Sequence, residues 1–195
     1  MTKQNKNIGL FFGSFNPIHV GHVILANYMV EFEGMDEVWL IISPQSPFKN
    51  KSELTSEEIR FEMVSRAVDR LKRITASNIE FNMPQPSYTI NTLNLLAEKY
   101  SHNQFHLIMG SDNIINIRRW READTIINRY PILVYPRNGY AINTEELTDK
   151  TKITNAPVVD ISSTMIREWI SAGHDVRAFM PYGVFEYIEE NRLYR

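Results

Sequence analysis

The most chemically suggestive part of the sequence is a ten-residue turn that follows a short apolar run near the start. It reads Gly13-Ser14-Phe15-Asn16-Pro17-Ile18-His19-Val20-Gly21-His22. His19 and His22 are three residues apart at the expected start of a helix, so both imidazoles lie on one face. A helix N-terminus already favours anions through its free N–H groups, and two imidazole donors beside it would complete a phosphate cradle. Gly13 would let the backbone approach such a ligand closely.

Other interpretations of this turn fit less well. Its glycine spacing is neither that of the phosphate loop ending in Gly-Lys-Ser/Thr nor that of the dinucleotide Gly-x-Gly-x-x-Gly motif. A zinc site would need a third ligand, but the chain has no cysteine, and Glu31 is roughly two and a half helical turns from His22. The structural alternative makes His19 a turn residue and His22 a satisfied core histidine. The pair, framed by Gly13, Pro17 and Gly21, favours the phosphate site.

Two later segments carry side chains that could bind a nucleotide. Ser162 and Ser163 precede a predicted helix with Arg167 one turn further on, so hydroxyls, free N–H groups and a guanidinium could converge on a triphosphate. The alternative is a serine cap beside a solvated arginine. Asp112 follows an apolar run and Gly110, where its carboxylate could accept hydrogen bonds from ribose hydroxyls. A helix N-cap is the other interpretation of Asp112.

Trp120 lies in an unusually basic stretch, with arginines at positions 118, 119 and 121. A flat indole with cations around it suits an anionic aromatic ligand. A tryptophan half-buried under arginine stems is the commoner structural outcome, so both interpretations stand at this point.

Elements that alternate between strand and helix must position these residues. Apolar runs predict strands at 8–12, 38–42, 79–81, 105–109, 132–135 and 158–159. Helices are predicted over 18–33, after a capping box formed by Thr55 and Glu58, after Pro86, from about Ser163 and from Pro181. The stretch 137–155 is interpreted as loop with a short helix. This order predicts an α/β, doubly wound, mostly parallel sheet with helices on both faces, which binds ligands beyond the carboxyl ends of its strands.

Composition limits the classes of function. The 195 residues include 21 basic and 23 acidic side chains, so no broad basic surface indicates nucleic acid and no single-sign field indicates a membrane. No apolar run approaches the ~20 residues of a membrane span, and the N-terminal residues lack the apolar core of a signal peptide. We expect one globular domain over residues 1–195 in the cytoplasm. Nothing in the sequence indicates an oligomeric state.

The segment His19-Val20-Gly21-His22 resembles the His-x-Gly-His signature of the nucleotidyltransferase superfamily. Further segments are similar to the nicotinate-nucleotide adenylyltransferase family, and the resemblance runs from Ile8 to the end of the chain. These segments are Ser46-Pro47-Phe48-Lys49, Pro86-Ser87-Tyr88-Thr89, Gly110-Ser111-Asp112, Trp120, Ile161-Ser162-Ser163-Thr164-Met165-Ile166-Arg167, Tyr187-Ile188 and Leu193-Tyr194-Arg195.

The resemblance implies a Rossmann-like nucleotidyltransferase fold and the transfer of the adenylyl group of ATP to nicotinate mononucleotide. The products would be deamido-NAD and pyrophosphate, in NAD biosynthesis. Mg²⁺ would be carried largely by ATP oxygens and water, with no dedicated carboxylate cage. Apart from ATP and nicotinate mononucleotide no partner is implied, neither nucleic acid nor membrane.

The resemblance also implies a role for each candidate residue. His19 and His22 are predicted to be catalytic. Thr89 would help to bind the nicotinate end of the acceptor, and Trp120 would stack on its pyridine ring. The predicted ATP-binding residues, among which Asp112 contacts the adenosine ribose, are Gly13, Ser14, Phe15, Lys49, Gly110, Asp112, Ser162 and Arg167.

Four alternatives remain at the level of the sequence. The acceptor could be nicotinamide mononucleotide, or phosphopantetheine as in shorter relatives that usually place threonine where His19 stands. A fragment of an aminoacyl-tRNA synthetase is disfavoured, since the chain lacks a tRNA-binding domain and a basic surface. The chain could also be a nucleotide-binding regulator without catalysis, although it retains His19, His22, Ser162 and Arg167 together.

Overall fold

Six parallel strands form the central sheet of the computed structural model, which describes residues 5–44 and 54–195. The strands are β1 (Asn7–Gly13), β2 (Glu37–Ile42), β3 (Ile74–Ser77), β4 (Gln104–Gly110), β5 (Ile132–Tyr135) and β6 (Thr151–Ile153). Their order across the sheet is β3-β2-β1-β4-β5-β6, and every neighbouring pair is parallel. The predicted Lys49 contact lies outside the described residues.

Helices cover both faces of this sheet. They are α1 (Val20–Phe32), α2 (Glu57–Val68), α3 (Thr89–Lys99), α4 (Ser111–Ile114), α5 (Ala123–Arg129), α6 (Ser163–Ser171) and α7 (Val184–Glu190). In β1, Ile8 and Leu10 pack with α3 and α5, whereas Phe11 packs with α1, α2, α6 and α7. This alternation follows from the two-residue period of a strand. The prediction of a doubly wound α/β fold is confirmed.

Strand order reverses at the boundary between β1 and β4. From β1 the chain proceeds outward to β2 and β3, then returns to place β4 on the other side of β1, with Phe11 opposite Ile108. The turns that follow Gly13 and Gly110 therefore diverge above adjacent strand ends, where parallel sheets leave a crevice for ligands.

Two predicted strands were wrong. Residues 79–81 form a turn, and the third strand is instead Ile74–Ser77. Residues 158–159 are irregular, and the sixth strand is instead Thr151–Ile153, within the stretch that was interpreted as loop. Both observed strands lie at the edges of the sheet and have few buried side chains, so no apolar run marks them in the sequence.

Helix starts also differ from the prediction: α1 begins at Val20 rather than at residue 18, and α7 begins at Val184 rather than at Pro181. Ser56, not Thr55, caps α2, and its Oγ accepts a hydrogen bond from the N–H of Ile59 at 3.4 Å.

Within the described ranges, no helix has both the length and the apolar character needed to cross a membrane.

Candidate active site

A cavity of about 650 Å³ opens at the carboxyl ends of β1 and β4. This volume lies in the range of pockets that hold nucleotide-sized ligands. Most of the predicted site residues line it, although they come from opposite ends of the chain. The residues brought together are Gly13, Ser14, Phe15, His19, His22, Thr89, Asp112, Trp120, Ser162 and Arg167.

The turn after β1 is shaped by Phe15. Its ring is buried, and its backbone has a φ of 46°, a left-handed conformation that non-glycine residues rarely adopt. A Cβ added at Gly13 would lie 2.7 Å from the Phe15 ring. A side chain at position 13 would therefore collide with the folded-back Phe15 ring.

His19 and His22 form a close pair at the start of α1. His19 is the N-cap, and its backbone N–H donates to Nδ1 of His22 at 3.2 Å. The two ring centroids are 3.8 Å apart with planes inclined at 31°, and the Phe15 ring meets His22 edge-on at 5.0 Å. Because Nδ1 of His22 accepts, a neutral His22 carries its proton on Nε2.

Burial makes His19 a neutral donor. The residue is only 3% exposed, and this burial, together with the charge of Arg137, lowers the pKa of His19 to about 4. Removal from water disfavours the charged imidazolium more than the neutral ring. At neutral pH His19 therefore offers an N–H group and no formal charge.

The start of α6 is attached directly to the β1 turn. Ser162 caps the helix by accepting from the N–H of Met165 at 3.2 Å. Ser163 Oγ donates to the carbonyl of Pro17 at 2.9 Å, and Arg167 Nη1 donates to the carbonyl of Asn16 at 2.8 Å. These bonds place an arginine and a helix N-terminus beside the histidine pair, as an anion site requires.

Asp112 is not a helix cap. Gly110 is the N-cap of the short helix α4, and the Asp112 carboxylate lies 3.2 Å from Nη1 of Arg137. A Cβ at Gly110 would lie 2.3 Å from Asp112 Oδ1, so the glycine leaves room for that carboxylate. Gly110 itself is not part of the cavity wall.

Arg137 is a cavity residue that sequence reasoning missed. The backbone N–H of Arg137 donates to Ser111 Oγ at 2.9 Å, and this bond fixes the loop after β5 beside α4. Its position just beyond a predicted strand was a usable signal, because it places the side chain at the same sheet edge as Gly13 and Gly110.

Trp120 and Thr89 line the same cavity. Trp120 is half-buried after a short 3₁₀ helix, and Thr89 is the first residue of α3. Arg121 also lines the cavity, and its guanidinium lies 4.8 Å from the Tyr88 ring centroid. These residues therefore combine flat aromatic surfaces with positive charge.

Glu80 is a second feature that sequence reasoning missed. It is 1% exposed, lies in the wall of the same cavity and accepts a hydrogen bond from Thr92 Oγ1 at 2.6 Å. Burial raises the pKa of this carboxyl. Its only sequence signal was an acidic residue in an apolar stretch that was wrongly predicted to be a strand.

Known proteins resemble this chain over most of its length. The family model described as cytidylyltransferase-like matches residues 10–169, a range that includes both the histidine pair and Arg167. A protein of Bacteroides fragilis named probable nicotinate-nucleotide adenylyltransferase is 45% identical over 180 residues, covering 92% of this chain and 90% of its own. This chain belongs to the nicotinate-nucleotide adenylyltransferase family. A second member, from Flavobacterium johnsoniae, carries the same name and is 44% identical, covering 96% of this chain and 98% of its own.

The fold of this chain matches a solved structure of a Plasmodium falciparum nicotinic acid mononucleotide adenylyltransferase complexed with NaAD. Its TM-score is 0.84, with 97% of this chain and 98% of that chain covered. The two sequences are only 22% identical, so the match supports the fold.

Proposed function

We propose that this protein transfers the adenylyl group of ATP to nicotinate mononucleotide, giving deamido-NAD and pyrophosphate. The observation that carries the proposal is the convergence of His19, His22 and Arg167 on one cavity that Trp120 also lines. Anion donors and an aromatic surface in one cavity suit a triphosphate and a pyridine nucleotide placed side by side. The names of the similar proteins point to the same reaction.

The chemistry requires no protein nucleophile. An oxygen of the acceptor's 5′-phosphate attacks the α-phosphorus of ATP in line, and a new phosphorus–oxygen bond forms. The bond from the α-phosphorus to the α–β bridging oxygen breaks, and pyrophosphate leaves with that electron pair. The protein's task is to position two anions and to stabilise charge on the transferring and leaving groups.

Each site residue has a part in that task. His22, with its donor at Nε2, would stabilise the transferring phosphoryl group, and the neutral N–H of His19 would stand beside it. Arg167 would neutralise charge on the leaving phosphates. In the part of the chain described, Arg167 makes no ion pair with a carboxylate, so protein carboxylates do not compete for it.

Magnesium would enter with ATP. Among the residues described, no group of three or more histidine, aspartate or glutamate side chains is placed to hold a metal ion. Triphosphate oxygens and water are suitable ligands for Mg²⁺, which keeps several waters in most phosphate sites.

The cytoplasmic location of the protein stays a prediction.

Product analysis with purified protein tests the proposal. ATP, Mg²⁺ and nicotinate mononucleotide should yield pyrophosphate and deamido-NAD in equal amounts, detected by a coupled assay and by mass spectrometry. Parallel reactions with nicotinamide mononucleotide and phosphopantetheine identify the acceptor. Pyrophosphate only with phosphopantetheine would assign a different acceptor, and no product with any of the three would favour a nucleotide-binding regulator.

A further inference from the structure

Arg60, on α2, is the largest fully buried side chain in the described part of the protein, and the mechanism above does not use it. It is 1% exposed and lies outside the cavity wall. Burial lowers the pKa of its guanidinium. Arginine nevertheless stays charged in proteins, so the side chain places a full positive charge inside the fold.

The charge is held by carbonyl oxygens. Arg60 Nη1 donates to the carbonyl oxygen of Ser14 at 2.6 Å and to that of Ser43 at 2.9 Å. Nη2 donates to Pro44 at 3.1 Å, and Nε donates to Thr55 at 2.9 Å. No ion pair to Arg60 occurs within residues 5–44 and 54–195, although the charges of Glu57 and Glu58 act on it from the start of its helix.

These four bonds join three segments around the site. Ser14 belongs to the β1 turn, Ser43 and Pro44 follow β2, and Thr55 precedes α2. A guanidinium satisfies such an arrangement because its donors are fixed in one plane, whereas a lysine offers a single ammonium centre. A charge buried without a carboxylate partner is costly, so filling space does not account for it.

The bond to Ser14 also orients the turn that follows β1. The peptide between Ser14 and Phe15 is trans, so its N–H points opposite to the carbonyl that faces Arg60. Fixing the Ser14 carbonyl therefore fixes the direction of the Phe15 N–H, within a turn that lines the cavity. Main-chain N–H groups held in left-handed and neighbouring conformations are typical of anion-binding turns.

We propose that Arg60 is a positioning residue for the triphosphate: it orients the Ser14–Phe15 peptide and adds positive potential beneath the turn without touching the ligand. This inference rests on the proposed function, because it takes ATP to be the ligand at that turn. It predicts a selective effect on ATP, since Trp120, the proposed stacking partner of the acceptor, lies on an element that Arg60 does not contact.

Two variants test the two contributions. Arg60→Lys keeps the charge and loses the planar set of donors, and Arg60→Met removes both while keeping an unbranched side chain. Arg66→Met is the matched control, because Arg66 lies on the same helix but is exposed and paired with Glu62 at 2.7 Å. Thermal unfolding with and without α,β-methylene-ATP establishes which variants are folded.

The readout is the Kd of α,β-methylene-ATP measured by calorimetry, with the KM values for ATP and nicotinate mononucleotide beside it. We expect Arg60→Lys to weaken the analogue about 10-fold, Arg60→Met to weaken it further, and Arg66→Met to leave it unchanged. The KM for the mononucleotide should stay within about 2-fold in folded variants. Analogue binding needs no acceptor, so failure of the acceptor assignment would leave this comparison intact.

Two results would overturn the inference. Folded Arg60→Lys and Arg60→Met proteins that bind the analogue like wild type would show that the turn does not depend on Arg60. Equal weakening of both substrates, or loss of folding in both variants even with saturating analogue, would assign Arg60 a purely structural role.

Discussion

Arg167 Nη1 donates a hydrogen bond to the carbonyl oxygen of Asn16 at 2.8 Å, although the two residues are 151 positions apart in the sequence. The side chain of Asn16 is itself held, because its Oδ1 accepts from the Tyr194 hydroxyl at 2.9 Å and from the Thr55 N–H at 3.3 Å. Arg167, in the middle of α6, is thus fixed against the first turn of the site before any ligand binds.

This placement predicts a selective defect for Arg167→Ala. The KM for ATP should rise by at least about 10-fold, the effect of losing a charge-assisted hydrogen bond, and the KM for nicotinate mononucleotide should change much less. Initial-rate kinetics with each substrate varied in turn measure both values. Lys150→Ala, which removes an exposed positive charge, is the control. Equal changes for both substrates would contradict the assignment of Arg167 to the ATP phosphates.

Replacement of His22 should reduce the chemical step. His22→Ala removes the Nε2 donor beside the transferring phosphoryl group, and loss of one preorganised donor lowers kcat by about 10²-fold or more. Circular dichroism should report an intact fold, and His174→Ala, at an exposed position, should behave like wild type. A folded His22→Ala protein with near-normal turnover would rule out this role.

Acceptor choice should favour the carboxylate over the amide. The two pyridine mononucleotides differ only in that group, and the Thr89 hydroxyl, which lines the cavity, would donate to a carboxylate. A mismatched buried polar group costs ~1–3 kcal/mol, so kcat/KM should be at least ~10-fold higher for nicotinate mononucleotide. Measurement under identical ATP and Mg²⁺ decides; equal values would overturn the preference while leaving adenylyl transfer in place.

Two variants separate recognition of the ring from recognition of its substituent. Thr89→Ala should reduce the preference for the carboxylate, because it removes a hydroxyl donor. Trp120→Ala should weaken both mononucleotides alike, since stacking does not distinguish carboxylate from amide. The opposite pattern would exchange the two assigned roles.

The free energy of unfolding should depend on pH through the lowered pKa of His19. Its pKa is lowered to about 4 in the folded protein, from an unfolded value of 6.5. Between these values the unfolded chain binds more protons, so stability rises with pH across this window and is lost as pH falls from about 6.5 to about 4. The difference is on the order of 3 kcal/mol.

The comparison with His19→Gln isolates that contribution. Urea unfolding at pH 7, 6, 5 and 4 should show a shallower loss of stability in the variant. His106, whose pKa burial also lowers, and Glu80, whose pKa burial raises, are present in both proteins, so their contributions cancel. Parallel curves for wild type and variant would mean that His19 is not held neutral.

Local patterns determined the class of fold and the centre of the site. The central strands β1, β2, β4 and β5 are apolar runs that any parallel sheet must bury, so hydrophobicity alone marks them. His19 and His22 lie on one face because of helical periodicity, and Ser162 precedes Arg167 by little more than one turn. These relationships depend on neighbours in sequence, and the structure retains them.

Only the tertiary structure decided the rest. The edge strands Ile74–Ser77 and Thr151–Ile153 are stabilised by pairing with strands far away in sequence, so their own residues carry little signal. Arg60, Glu80 and Arg137 look like ordinary charged residues until the fold buries them or brings them to the cavity. The role of a buried charge is set by which carbonyls and carboxylates surround it, and those groups come from segments that meet only when the sheet has formed.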